Sequence, residues 1–156
     1  MAQNSEVNKT LYFMIDIPAL VGKSKPEVLS KDYVEIFLDT NHDRETYYWL
    51  QIFPDGKYAE HNFPGPGEPP LDWKSMADIK VKNNDNGWVA EIAIPLSSLD
   101  LAGKELENTQ IGGLICITKA DRQGEPDMFS SSSPILRGAF HQPGVFNRMR
   151  FVNNGY

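Results

Sequence analysis

The chain has 156 residues, of which 40% are hydrophobic and 23% charged, and a net charge of −6. That length can bury one core without staples, and the apolar runs are too short for the roughly 20 residues of a membrane-spanning helix. The excess of carboxylates argues against a nucleic-acid or phosphate binder, which usually carries a basic patch, and leaves neutral ligands such as sugars open. The single cysteine, Cys116, allows no internal disulfide. The polar stretch Met1 to Lys9 has no apolar signal core, so an export signal is not expected within this chain.

In chain order, Leu11 to Ile17 reads as the first strand and ends at Pro18. Tyr33 to Asp39 and Tyr47 to Phe53 flank a polar turn and predict an antiparallel hairpin. The stretch Phe63 to Pro70 is too rich in proline and glycine for helix or central strand, and predicts an ordered loop anchored by Trp73. Asp78 to Lys82 and Trp88 to Ile94 flank Asn83-Asn84-Asp85-Asn86-Gly87, a second hairpin turn. Leu96 to Leu101 offers one short helical turn after Pro95, and Ile111 to Lys119 and Phe146 to Val152 complete seven strands. The expected class is all-β with little helix, a single domain over residues 1–156 built as an antiparallel β-sandwich of jelly-roll type.

Alternation along the strands assigns faces. Val34, Ile36 and Leu38 are expected inward with Tyr48, Leu50, Ile52, Trp88, Ala90, Ile92, Ile94, Ile115 and Ile117. Tyr33, Glu35, Phe37, Trp49, Gln51, Phe53, Val89, Glu91 and Cys116 then fall opposite, a face mixing aromatic rings with carboxylate and amide groups.

Catalytic patterns are weak. His42, His61 and His141 sit in separate segments without metal-ligand spacing, and no serine lies in a nucleophile frame. Glu35 and Glu91 would have to flank one cleft to act as acid and base on a glycosidic bond; hydrogen-bonding groups on a polar sheet face are the better account. No enzyme is expected, and no cofactor is required. Asp39, Asn41 and Asp43 alternate oxygen ligands as calcium loops do, but without the glycine and closing glutamate of an EF-hand, and a polar hairpin turn is the simpler reading.

A polar-aromatic face suits carbohydrate, because rings stack on sugar C–H patches while carboxylates and amides bond hydroxyls. The segments Asp32-Tyr33-Val34-Glu35-Ile36-Phe37-Leu38-Asp39, Tyr47 to Ile52 with Pro54-Asp55-Gly56, and Gly87 to Pro95, followed by Ile111-Gly112 and Pro143 to Phe151, resemble the family 9 carbohydrate-binding modules and their DOMON-like relatives. The resemblance runs from about Leu11 to Val152. It implies a secreted, cell-surface or periplasmic β-sandwich that binds polysaccharide or oligosaccharide, is attached to a glycan-degrading enzyme, neither inserts in membranes nor binds nucleic acid, and can hold structural calcium. Family members clamp a terminal sugar between two tryptophans. Leu29 and Phe140 stand near those positions here, and Gln51 where arginine is common, so Tyr33, Trp49 and Phe140 are the rings expected to rebuild the site. The expected sugar-binding set is Tyr33, Glu35, Trp49, Gln51, Glu91 and Phe140, with Asp39, Asn41 and Asp43 for a metal. The relatives begin with N-terminal strands that have no counterpart in this chain. Two other functions stay open: a haem-binding electron-transfer domain using Met14, Met128, Met149 or His141, and an interaction sandwich without ligand.

Overall fold

The alternation of Val34, Ile36 and Leu38 with Glu35 and Phe37 makes a two-faced strand, and such strands are stable only when a second layer covers the aliphatic face. The computed structural model supplies that layer and describes residues 9–18, 32–104, 106–107, 109–119, 128–135 and 139–151. Its strands are β1 (Thr10–Pro18), β2 (Tyr33–Asp39), β3 (Tyr47–Ile52), β4 (Tyr58–Phe63), β5 (Leu71–Asp72), β6 (Asp78–Asn84), β7 (Gly87–Pro95), β8 (Gln110–Lys119), β9 (Met128–Ser131) and β10 (Asn147–Arg150). Every pairing among the described residues is antiparallel. One sheet runs β1-β7-β6; the other runs β10-β8-β2-β3-β4-β5, with β9 also paired to β8. The all-β antiparallel sandwich expected from the sequence is the fold. No helix among the described residues is long and apolar enough to cross a membrane.

Three strands escape the sequence patterning. β4 (YAEHNF) has no aliphatic alternation and forms because β3 offers it an unpaired edge. β5 is two residues long, and β9 pairs only with the far end of β8. Phe63, expected to open the proline-rich loop, instead closes β4. The last strand is shorter than expected, because Pro143–Val145 form a 3-10 turn and Phe146 follows it in extended backbone.

The aliphatic faces meet as expected. Ile15 and Ile17 of β1 join Val34, Ile36, Leu38, Leu50, Ile52, Trp88, Ala90, Ile92 and Ile94 in one buried cluster. Ile115 and Ile117 are partly buried against it. The expected turn after Pro95 is a 3-10 turn, Leu96–Leu99, with Leu96 and Leu99 buried. It fastens the proline-rich segment. The Trp73 indole N–H donates to the Ser98 carbonyl at 2.8 Å, and its ring lies 4.7 Å from that of Tyr48. Tyr48 in turn donates its hydroxyl to Asp100 Oδ2 at 2.7 Å.

Trp88 is fully buried at the centre of this core, and its Nε1 has no hydrogen-bond partner among the described residues. Trp88→Ala should therefore cost about 3–5 kcal/mol in equilibrium denaturant unfolding. Trp88→Phe should cost much less, since it keeps most of the ring and deletes an unsatisfied donor. Equal losses for the two substitutions would place the indole somewhere other than the core.

Candidate functional site

The outward face of the larger sheet gathers the polar-aromatic groups into rows, because antiparallel register sets residues opposite one another across strands. One row runs Phe37, Trp49, His61 and Asp72 across β2, β3, β4 and β5. The next runs Cys116, Glu35, Gln51 and Ala59. Beyond it, Tyr33 and Phe53 meet with ring centroids 5.8 Å apart.

Trp49 is half-buried at the middle of this face rather than freely exposed. Its Nε1–H donates to Glu35 Oε1 at 3.0 Å. His61 lies parallel to the indole, 5.7 Å away with 6° between the planes, and Phe63 meets it edge-on at 6.3 Å. His141 reaches the same ring from the segment before β10, at 5.9 Å. His141 is itself seated among aromatics: its Nδ1 shares a 2.9 Å hydrogen bond with the Tyr47 hydroxyl, and its ring stands edge-on to Phe37 at 5.1 Å. Two histidines that sit far apart in sequence thus converge on one tryptophan. The His61 position was recoverable only by pairing β4 with β3; nothing local marks His141.

Burial governs the electrostatics here. Glu35 is 5% exposed, and desolvation holds its carboxyl above the ordinary 4.5 although the Trp49 hydrogen bond pulls it down. Cys116, beside it on β8, is pushed up to about 12 by burial and then by the Glu35 charge, which leaves an inert thiol. Burial pushes Tyr47 up to about 12 and His141 below 6.5, so their hydrogen bond joins two neutral groups near neutral pH.

Tyr33, Glu35, Trp49 and Gln51 therefore share one face, as expected. Glu91 does not. It is exposed on β7, opposite Met14 and Lys80, on the outer face of the smaller sheet. Alternation correctly turned it away from the core, but the outer faces of the two layers look in opposite directions. Glu35 and Glu91 consequently lie on opposite sides of the sandwich and form no carboxylate pair. Phe140 reaches the Trp49 side of the molecule but is 8% exposed, packed with Phe37, Leu114 and Cys116 and edge-on to Phe129 at 5.7 Å. Its apolar ring fills the cluster, and it is the next residue, His141, that meets Trp49. Leu29 lies outside the described residues.

The turn after β2 uses its oxygens on itself. Asp39 is fully buried and accepts from the Asp43 and Arg44 backbone N–H groups at 3.2 and 2.9 Å. Asp43 accepts from the Glu45 and Thr46 N–H groups at 2.8 Å each, and from the Asn41 amide and Thr46 hydroxyl at 2.8 Å. Slight burial raises the Asp43 pKa, but these hydrogen bonds outweigh it and hold the carboxyl below 3.8. These oxygens face N–H and O–H donors of the same loop, which closes the turn without any other partner. Asp39, Asn41 and Asp43 thus all spend side-chain oxygens on donors within the turn. Among the described residues no three His, Cys, Asp or Glu side chains gather as a metal site. The haem candidates also scatter: Met14 is exposed on β1, Met128 on β9, Met149 packs on the main core and His141 on Trp49.

The profile of the carbohydrate family 9 binding domain-like family matches residues 7–154. The chain is 30% identical over 124 residues to exoglucanase XynX of Acetivibrio thermocellus, a match that takes in 76% of this chain and 10% of that enzyme. It thus spans about a tenth of that relative's length. A family 9 carbohydrate-binding module of Caldicellulosiruptor kristjanssonii, solved in complex with cellotriose, superposes with a TM-score of 0.64 at 17% identity, covering 95% of this chain and 72% of the other. A family 9 carbohydrate-binding module of the same organism in complex with glucose gives 0.62 at 17% identity, covering 92% of this chain and 71% of the other. At that identity the likeness shows the fold.

The buried Glu35 leaves a measurable signature. An acid whose pKa is higher in the folded state than the ordinary 4.5 binds more protons when folded. Its ionisation then takes stability away as pH rises from 4.5 through the folded value, and acidification over the same window restores it. Glu35→Gln removes this proton uptake while keeping an oxygen to accept from Trp49. Thermal melts between about pH 4 and 7 should show the acid-side gain in the parent chain and a flatter profile in the variant. Superimposable profiles would mean that Glu35 is solvated.

Proposed function

The chain belongs to the carbohydrate family 9 binding domain-like family and is a non-catalytic carbohydrate-binding module, and from that premise we propose that its sugar docks on the outer face of the larger sheet at Trp49. The observation that carries this reading is the restrained, half-buried indole: Glu35 holds its N–H at 3.0 Å, and His61 lies parallel to it. A ring that is already fixed loses little rotamer freedom when a pyranose stacks on it. Gln51, half-buried in the neighbouring row, supplies both a donor and an acceptor for hydroxyls. Tyr33 bounds the face beyond it. In this reading Glu35 is a positioning residue, since its carboxylate is buried and engaged with the indole.

The separation of Glu35 and Glu91 onto opposite outer faces supports binding without hydrolysis, because a glycosidase needs two carboxyl groups flanking one bond. Resemblance to a segment that makes up only 10% of an exoglucanase supports a further part of the proposal, that the module serves a larger glycan-degrading protein.

Titration calorimetry with glucose and with cellotriose tests the site. Trp49→Ala should abolish binding, while Gln51→Ala should weaken it by about 1 kcal/mol, or roughly fivefold. Added salt should change the affinity little, because the ligand is neutral. Undiminished affinity in Trp49→Ala would remove the indole from the site.

A further inference from the structure

The smaller sheet finishes its two edges differently. β7 lies between β1 and β6, which are the outer strands. β6 carries Asp78, Lys80 and Lys82 outward, and such charges, lysines above all, discourage a further strand from pairing. β1 has no such guard. Its nine residues, TLYFMIDIP, hold one charged side chain, Asp16, and among the described residues the strand pairs only with β7. Tyr12 is 74% exposed and Met14 77%.

One hydrogen bond shows which backbone groups look along that edge. The Leu96 N–H donates to the Lys9 carbonyl at 2.9 Å, and this pair continues the register that sets Thr10 against Pro95. Hydrogen-bonded pairs alternate along an antiparallel ladder, so Lys9, Leu11, Phe13 and Ile15 turn their N–H and C=O groups to β7. Tyr12, Met14 and Asp16 turn theirs to the edge, and their side chains are also the ones that face outward.

About Phe13 the strand is close to a mirror image in chemistry. Leu11 and Ile15 are aliphatic, Tyr12 and Met14 are large and exposed, and Thr10 and Asp16 are polar. A second copy of the strand, run antiparallel and turned about Phe13, therefore matches it position by position. Tyr12 of one copy exchanges both backbone hydrogen bonds with Met14 of the other, and the thioether meets the phenol ring. Leu11 falls beside Ile15, and Asp16 falls opposite the Thr10 hydroxyl rather than another carboxylate. Pro18, which has no N–H to give, lies outside the matched stretch.

We propose that β1 is a dimerisation edge, which pairs with β1 of a second copy of this chain and joins the two smaller sheets into one. The dyad of an antiparallel strand pair stands perpendicular to the sheet, so like faces stay on like sides. Both Trp49 faces then look in the same direction. The dimer would lay two sites on one glycan surface and gain avidity. That consequence rests on the sugar site proposed above, whereas the pairing itself does not.

Sedimentation velocity between about 10 μM and 1 mM, the span expected of a small reversible interface, should show the monomer passing to a dimer. Met14→Lys and Tyr12→Lys, both at exposed positions, should keep the melting temperature and weaken the dimer at least tenfold. In the unsubstituted chain, amide exchange at Tyr12, Met14 and Asp16 should slow as concentration rises, while Leu11, Phe13 and Ile15, already bonded to β7, should change little. On amorphous cellulose the parent chain should be retained severalfold more strongly than Met14→Lys, with equal affinities for glucose in solution. A monomer throughout the range, or a dimer that survives both substitutions with the edge amides unprotected, would overturn the pairing. Equal retention of parent and variant on cellulose would overturn the shared direction of the two sites. A dimer that binds neither glucose nor cellulose would sink the sugar reading and leave the pairing standing.

Discussion

A β-strand has two faces and a period of two, so β3 can bring Trp49 and Gln51 to the surface only by committing Leu50 and Ile52 to the interior. The rest of the molecule follows from that coupling. Leu50 and Ile52 are buried with Val34, Ile36 and Leu38 against the Trp88 layer of the smaller sheet. A slip of one residue in the β2–β3 register would drive Trp49 into the core and leave the aliphatic residues in water. The apolar core thus does more than stabilise the domain. It fixes which way the indole points.

The finer placement of that indole depends on a carboxylate kept in an unfavourable environment. Burying Glu35 disfavours its charged form, as its raised pKa records, and the Trp49 N–H offsets only part of that cost. A buried carboxylate that is half-compensated is a poor stabiliser. It is, however, an effective restraint, because the indole gives up a charge-assisted hydrogen bond if it rotates away. Parallel packing on His61 and the Tyr47–His141 hydrogen bond then limit the movement of the neighbouring rings.

Much of this was legible in the sequence, and the reasons for the rest are physical. Period-two patterning identifies β2, β3, β7 and β8 and sorts their inward residues, because aliphatic side chains alternate cleanly in each. The same rule states only that Glu91 points out, without naming the layer it points out from; that depends on β7 pairing with β1 and β6 rather than with β2. β4 was invisible because YAEHNF carries no aliphatic alternation. Its existence is dictated by the open edge of β3, and His61 was hidden with it. Phe140 was misplaced for a similar reason: which of two adjacent loop residues meets Trp49 is decided by which ring is apolar enough to fill the cluster under Phe37, and that leaves His141 on the indole. The oxygen-rich turn after β2 shows the converse, a ligand-like spacing whose oxygens the loop's own N–H groups consume.

The outward residues of the smaller sheet, Tyr12, Met14 and Glu91 among them, lie on the side of the molecule opposite Trp49. Anything that rests against that side, whether a neighbouring domain or a solid surface, leaves the tryptophan side uncovered. The sandwich therefore has a back and a front. A contact across the β1-β7-β6 face leaves approach to Trp49 unobstructed.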